Sequence, residues 1–171
     1  MARGELEQRF DALLVAHGPS LARLAASYAR RASEHDDLFQ EIAFAIWRAL
    51  PGFRGECSER TFVFRIAHNR GISYLARRRT PTGADDEERE LPDRRPNPEQ
   101  VLSANEESER LARAVQRLPV AHRQVVTLAL EGLSYGDIAD VLGISEINVG
   151  ARLTRARQML RELLKRNGTR S

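Results

Sequence analysis

The chain has 171 residues, enough for one medium domain or two small ones, with 42% hydrophobic and 30% charged residues. That balance fits a folded globular protein rather than a disordered one, and no apolar run approaches the roughly 20 residues that span a bilayer. The formal net charge of +3 resolves into +4 over residues 1–79, −6 over 80–110 and +5 over 111–171, so two basic blocks flank an acidic connector. A split field of this kind suggests two polyanion-binding modules on one tether. Arginine supplies 26 of the 27 basic residues. It grips phosphate and guanine edges bidentately, although genome composition produces the same preference. The single cysteine, Cys57, cannot form an internal disulfide, and the N-terminal segment MARGELEQRFDALL carries acids and lacks the form of a signal peptide. A cytoplasmic protein without a membrane segment is therefore expected.

Strand signals are nearly absent, whereas helix starts and stops recur. A first helix is expected over Glu5–Val15, ended by His17-Gly18-Pro19, with Ser20 capping a second through about Arg31. Ser33 is expected to cap a third, in which Leu38, Ile42, Ile46 and Leu50 fall at intervals of four and Pro51-Gly52 makes the stop. The turn FRGECS follows, and Ser58 caps a long helix to about Arg79 with Phe62, Val63, Ile66, Ala67 and Tyr74 on its core side. From Thr80 to Asn97 the character changes to four prolines and six acids through Pro98 with no helical period, the composition of a flexible linker. Asn97-Pro98 with Gln100 resembles a helix start, and that helix runs to about Arg117, where Leu118-Pro119 breaks it. A helix over about Ala121–Glu131 follows.

The segment Gly132 to Gln158, GLSYGDIADVLGISEINVGARLTRARQ, then reads as two helices and a tight turn. Ser134 with Asp137 three residues on is a variant capping box, and Ile138, Ala139, Val141 and Leu142 supply a buried stripe. Gly143 suits the left-handed position that closes a helix, and Ser145 starts the next. Val149, Leu153 and Leu160 give that helix its apolar face, while Arg152, Arg155, Arg157 and Arg161 crowd the remainder. This is the pattern of a helix-turn-helix that lays its second helix in the major groove of DNA; the plainer reading is a helical hairpin with a solvated cationic face. The expected fold is all-α: two small helical domains, 1–80 and 98–168, joined by a flexible acidic linker over 81–97, the C-terminal domain a helix-turn-helix.

Other constellations bound the chemistry. Glu34, Asp36, Asp37 and Glu41 make the start of the third helix acidic, which suits either its dipole or a basic docking partner. Only His35 lies near them, at a different angle, so no metal is expected. The segment GFRGECSERTFVFRIAHNRGISYLARRR interleaves Phe53, Phe62, Phe64 and Tyr74 with arginines, the mixture that holds single-stranded nucleic acid, although most of the aromatic surface is expected in the core. Asn69 can both donate to and accept from a base edge. Cys57 and His68 lack a third group to orient the histidine, the four histidines have no ligand spacing, and no phosphate-binding glycine loop is present, so neither enzyme activity nor a cofactor is expected.

In the order acidic helix, FRG turn, RIAHN helix and LP…GLSYGDIADVLGIS block, the chain resembles the extracytoplasmic-function group of bacterial RNA polymerase sigma factors. The resemblance covers nearly all of the chain outside the linker. It implies a protein that binds core RNA polymerase and directs initiation at promoters. Asp36, Asp37, Gln40 and Glu41 would dock on the β′ subunit. Arg54, Gly55, Glu56, Cys57, Ser58 and Asn69, with Arg70, Arg77 and Arg78, would take the single strand of the melted minus-10 element. The linker matches the segment that threads toward the active-site and RNA-exit channels of the polymerase, formed with its β subunit, and an anti-sigma factor is an expected partner. Relatives usually carry a lysine or arginine and then a serine where this chain has Gly150 and Ala151. Readout of the minus-35 duplex is therefore assigned to Ser145, Asn148, Arg152, Arg155 and Arg157. The competing expectation is a stand-alone helix-turn-helix regulator that acts without core polymerase.

Overall fold

A computed structural model describes residues 3–29, 31–78 and 103–168. Regular structure among them is helical throughout: α1 (Arg3–Tyr28), α2 (Ala32–Ala49), a 3₁₀ turn (Leu50–Gly52), α3 (Glu59–Arg78), α4 (Ser103–Gln116), α5 (Val120–Leu130), α6 (Tyr135–Leu142) and α7 (Glu146–Gly168). The expected linker, and the helix start expected at Asn97, lie outside the described residues.

Two starts differ from expectation. The stop at His17-Gly18-Pro19 does not occur, and α1 runs through Pro19 in one piece. Proline removes the bond that would reach the carbonyl of Val15, four residues earlier. Val15 is 83% exposed, so water can take that carbonyl, while Leu13, Leu21 and Leu24 on the opposite face are buried and hold both halves in register. Ser20 is consequently inside a helix rather than capping one, and it accepts from Arg23 Nη2 at 3.2 Å. In α2 the cap is Arg31, whose backbone N–H is taken by Glu34 Oε2 at 3.3 Å, so Ser33 falls inside the first turn. Glu34 serves here as the reciprocal half of a capping box.

Helices α1, α2 and α3 pack mutually, and their core holds Leu21, Leu38, Ile42, Ile46 and Phe64 with no more than 1% exposure. Helices α4 to α7 form a second group around Val125, Leu128, Ile138 and Leu153. The two groups also touch, α5 against α1 and α6 against α3. Polar pairs lock this seam. Arg23 of α1 forks onto Glu131, just after α5, with Nε to Oε1 at 2.5 Å and Nη2 to Oε2 at 2.8 Å. Arg60 of α3 donates to the Glu131 carbonyl, and Gln116 Nε2 donates to the Ala26 carbonyl at 2.6 Å. Burial works against the charged form of Glu131, but the Arg23 fork, Ser20 and Arg60 outweigh it and hold its pKa below the usual carboxylate value.

Tyr28, at the end of α1, is buried in the same region, with its hydroxyl 2.7 Å from His68 Nδ1 of α3. Its ring lies so close to α3 that a Cβ on Gly71 would stand 2.4–2.6 Å from three ring carbons. Only glycine permits this approach. Desolvation pushes the Tyr28 hydroxyl upward and the His68 imidazole downward, so both are neutral at pH 7.

Candidate nucleic-acid interface

The FRGECS turn is anchored at both ends. Phe53 N donates to the buried Leu50 carbonyl at 3.1 Å, and the Phe53 ring stacks on Phe62 of α3 at 4.3 Å between centroids. Arg9 of α1 lies over the Phe53 ring at 5.3 Å while pairing with Glu59 at 3.0 Å. Gly55 takes φ +76°, a left-handed conformation that side chains with a β-carbon rarely adopt. At the far end Ser58 Oγ accepts from Thr61 N at 3.0 Å, the expected cap of α3. Arg54, Gly55, Glu56 and Ser58 are exposed and Cys57 is half-buried. Three turns along α3, Asn69 and Arg70 are exposed. Arg54 and Arg70 make no ion pair with any described residue.

The expectation that the aromatics of this segment serve the core is met at Phe64, which is fully buried, and at Phe62 and Tyr74, which pack on the core while half-buried. Arg77 and Arg78 are engaged differently from Arg54 and Arg70. Arg77 Nη2 donates to Glu41 Oε2 at 2.8 Å and Arg78 Nη1 to Glu34 Oε2 at 2.9 Å, so the end of α3 is tied to α2. Tyr74 joins this cluster through Arg78, at 3.0 Å. Burial raises the pKa of Glu34, but Tyr74, the Arg31 N–H and the Arg78 cation bring the net value below the usual carboxylate range. Of the acidic set on α2, Glu41 is half-buried and engaged by Arg77, whereas Asp36, Asp37 and Gln40 are exposed.

The second group of helices carries the helix-turn-helix as expected. Ser134 Oγ accepts from Asp137 N at 3.1 Å and Asp137 Oδ2 accepts from Ser134 N at 3.3 Å, closing the capping box. Gly143 ends α6 at φ +68°. Ser145 Oγ accepts from Asn148 N at 3.2 Å and so caps α7. Val149, Leu153, Ala156 and Leu160 are buried and fix the inward side of α7. Ser145, Asn148, Arg155 and Arg157 are exposed, and Arg152 is half-buried. None of Arg152, Arg155, Arg157 and Arg161 forms an ion pair with a described residue, in contrast to Arg9, Arg23, Arg77 and Arg78 of the first group. A row of cations without internal partners is free to neutralise phosphates.

Position 150 packs toward a neighbouring helix. A Cβ there would lie 3.5 Å from Cε2 of Tyr135, so Gly150 looks toward the start of α6. Sequence reasoning also passed over Glu131, Gly71 and Ile147. Glu131 and Gly71 owe their roles to partners far away in the chain, and only the apolar identity of Ile147 at the start of a basic helix signalled it. Among the described residues no group of three or more histidine, cysteine or carboxylate side chains is placed to hold a metal, and no helix is long and apolar enough to cross a membrane.

Comparison with known proteins agrees with this geometry. Residues 13–80 match the family model for Sigma-70 region 2 and residues 108–160 that for Sigma-70 region 4. The RNA polymerase sigma factor NccH of Alcaligenes xylosoxydans xylosoxydans is 34% identical, over 95% of this chain and 90% of that protein. The ECF RNA polymerase sigma-E factor of Escherichia coli K12 is 30% identical, over 90% of this chain and 85% of that one. Among solved structures, CnrH in complex with the cytosolic domain of CnrY superimposes with a TM-score of 0.68 at 30% identity, covering 93% of this chain and 89% of that chain. The sigma factor RpoE in complex with the anti-sigma factor NepR from Bartonella quintana shares the fold, with a TM-score of 0.75 at 23% identity, over 92% of this chain and 98% of that one. The chain therefore belongs to the extracytoplasmic-function sigma factors of RNA polymerase.

Proposed function

We propose that this sigma factor divides promoter engagement between two faces: the FRG turn with Asn69 and Arg70 captures the unpaired minus-10 strand, and the N-terminal half of α7 holds the minus-35 duplex. The observation that carries the proposal is the sorting of the arginines. Those facing the candidate DNA surfaces, Arg54, Arg70, Arg152, Arg155 and Arg157, have no acid partner among the described residues, whereas those on the structural seams are paired. Asn69 supplies a donor and an acceptor for a base edge, and the Gly55 turn, about three turns away across α3, supplies a second contact region. Arg77 and Arg78 are assigned a secondary place in strand binding, because each already holds a carboxylate of α2.

The domain assignment follows the same division. Residues 1–80 form the core-binding and minus-10 domain, 81–97 the linker, and 98–168 the minus-35 domain. Asp36, Asp37 and Gln40 form the exposed contact for the polymerase β′ subunit, and Glu41 contributes from its pairing with Arg77. The linker acids suit a positively charged channel reaching the β subunit. No covalent step is assigned to the protein: its work is to bind the separated strand better than the paired one, on a polymerase in the cytoplasm. Because CnrH and RpoE are each bound to a partner in the solved structures that this chain resembles, an anti-sigma factor is proposed for this chain as well.

Co-elution with core RNA polymerase tests the docking assignment. The wild-type chain is expected to co-elute and to support initiation, and an Asp36→Ala/Asp37→Ala double variant to lose both while keeping its helical content. Full co-elution by the double variant overturns the docking assignment. Failure of the wild-type chain to associate with core enzyme favours a stand-alone regulator.

A further inference from the structure

Ile147 is 84% exposed, the highest exposure of any large apolar side chain among the described residues, and it stands in the first turn of α7. Among the described residues it belongs neither to the core nor to the apolar shell packed against it. A β-branched side chain there has only ordinary helix propensity, so local folding gives no reason for it either. The helix geometry shows which way it points. Val149, Leu153, Ala156 and Leu160 mark the inward side, and at about 100° per residue Ile147 and Ala151 lie within about 30° of directly opposite. Gly150 is turned aside toward Tyr135. By the same phase Asn148 and Arg155 lie together on one side of the apolar pair, and both are exposed.

An apolar pair at the tip of a helix studded with unpaired cations meets one kind of polyanion that also offers apolar groups: duplex DNA. The N-terminal residues of a recognition helix face base edges, and in the major groove the apolar group on those edges is the thymine C5-methyl. Residues four apart rise about 6 Å along the helix, close to two base steps of about 3.4 Å. We infer that Ile147, with Ala151 one turn later, is a specificity-determining surface that selects thymine in the minus-35 element by contact with its methyl group. Asn148 and Arg155 supply the hydrogen bonds and phosphate contacts around it. The inference rests on the proposed reading of α7 as the duplex reader.

The test removes one methyl at a time. A minus-35 duplex is selected from a random pool by the holoenzyme, and each thymine is replaced in turn by deoxyuridine, which keeps every hydrogen-bonding group and deletes only the methyl. For the wild-type protein one replacement is expected to weaken binding about three- to fivefold, the worth of one buried methyl. With Ile147→Ala that same replacement should have no further effect. With Arg155→Ala, binding should weaken on both duplexes while the thymine-to-uracil ratio stays as in wild type. Ile147 is exposed, so its truncation leaves the fold intact, and unchanged helical content verifies this. An undiminished uracil penalty in Ile147→Ala, or no sensitive thymine in the wild type, overturns the inference. So does a loss of core polymerase co-elution by Ile147→Ala with DNA selectivity unchanged, since that assigns the residue to a protein partner. A chain that shows the methyl cycle on DNA but never initiates with core enzyme retains the inference and loses the proposed function.

Discussion

Gly71→Ala is the substitution for which the structure makes the most specific demand. The added Cβ would lie 2.4 Å from Cδ2, 2.5 Å from Cε2 and 2.6 Å from Cγ of Tyr28, about 1 Å inside normal contact. The ring cannot step aside, because it is 3% exposed and its hydroxyl is held 2.7 Å from His68. Overpacking of a well-filled core costs about 1–3 kcal/mol, and three close ring carbons argue for the upper part of that range. Losing the Tyr28–His68 hydrogen bond adds about 1 kcal/mol. Better helix propensity returns about 1 kcal/mol. The net expectation is a loss of about 2–3 kcal/mol, or about 4–12 °C in Tm for a chain of this size. Denaturant unfolding followed by circular dichroism, with the slope checked for constancy, measures it. A variant as stable as wild type would refute the close approach of α1 and α3 on which the position of Asn69 depends.

The same change at Gly150 has the opposite expected sign. Its Cβ would make an ordinary 3.5 Å contact with Tyr135, so Gly150→Ala should raise stability by up to about 1 kcal/mol in the same assay, and a loss would show that α7 and α6 sit closer than described. Acid should weaken the fold through His68. Burial lowers its folded pKa below the 6.5 of the unfolded chain, so the unfolded state takes the proton first. Stability is therefore full well above pH 6.5 and declines as pH falls through that value. Proton NMR titration of His68 should give a midpoint below 6.5, and a midpoint above it contradicts the buried neutral ring. At the seam, a double-mutant cycle on Arg23→Ala and Glu131→Ala should yield a coupling of about 1 kcal/mol, reduced because Arg23 is 60% exposed. Zero coupling at low salt means that the two helical groups do not close on each other in solution.

Local chemistry was legible in the sequence and long-range chemistry was not. The Ser134–Asp137 box, the Gly143 closure and the Ser58 and Ser145 caps involve residues three or four apart, so spacing alone revealed them. The apolar period of α2 likewise placed Leu38, Ile42 and Ile46 in the core. Pro19 misled because its cost depends on which face of α1 is wet, a property of the packed helix rather than of the dipeptide. The Arg23–Glu131 fork joins residues 108 positions apart, and Glu131 in sequence is only an acid at a helix end. Gly71 looks like an ordinary helix-weakening residue until the Tyr28 ring is set against it. At the proposed DNA surface, the α7 arginines stood out from composition, and the FRG turn and Asn69 from the family resemblance. The turning of Gly150 toward Tyr135 and of Ile147 outward required the phase of α7, which its buried residues supply.

The central claim is that strand capture and duplex holding reside on separate faces of one sigma factor. Promoter opening by the reconstituted holoenzyme, followed by permanganate reactivity of minus-10 thymines, tests it most directly when paired with minus-35 duplex protection on the same templates. Asn69→Ala should reduce opening while duplex protection persists, and Arg155→Ala should weaken protection while a pre-melted minus-10 bubble still binds as in wild type. Equal loss of both signals in each variant would contradict the division of labour.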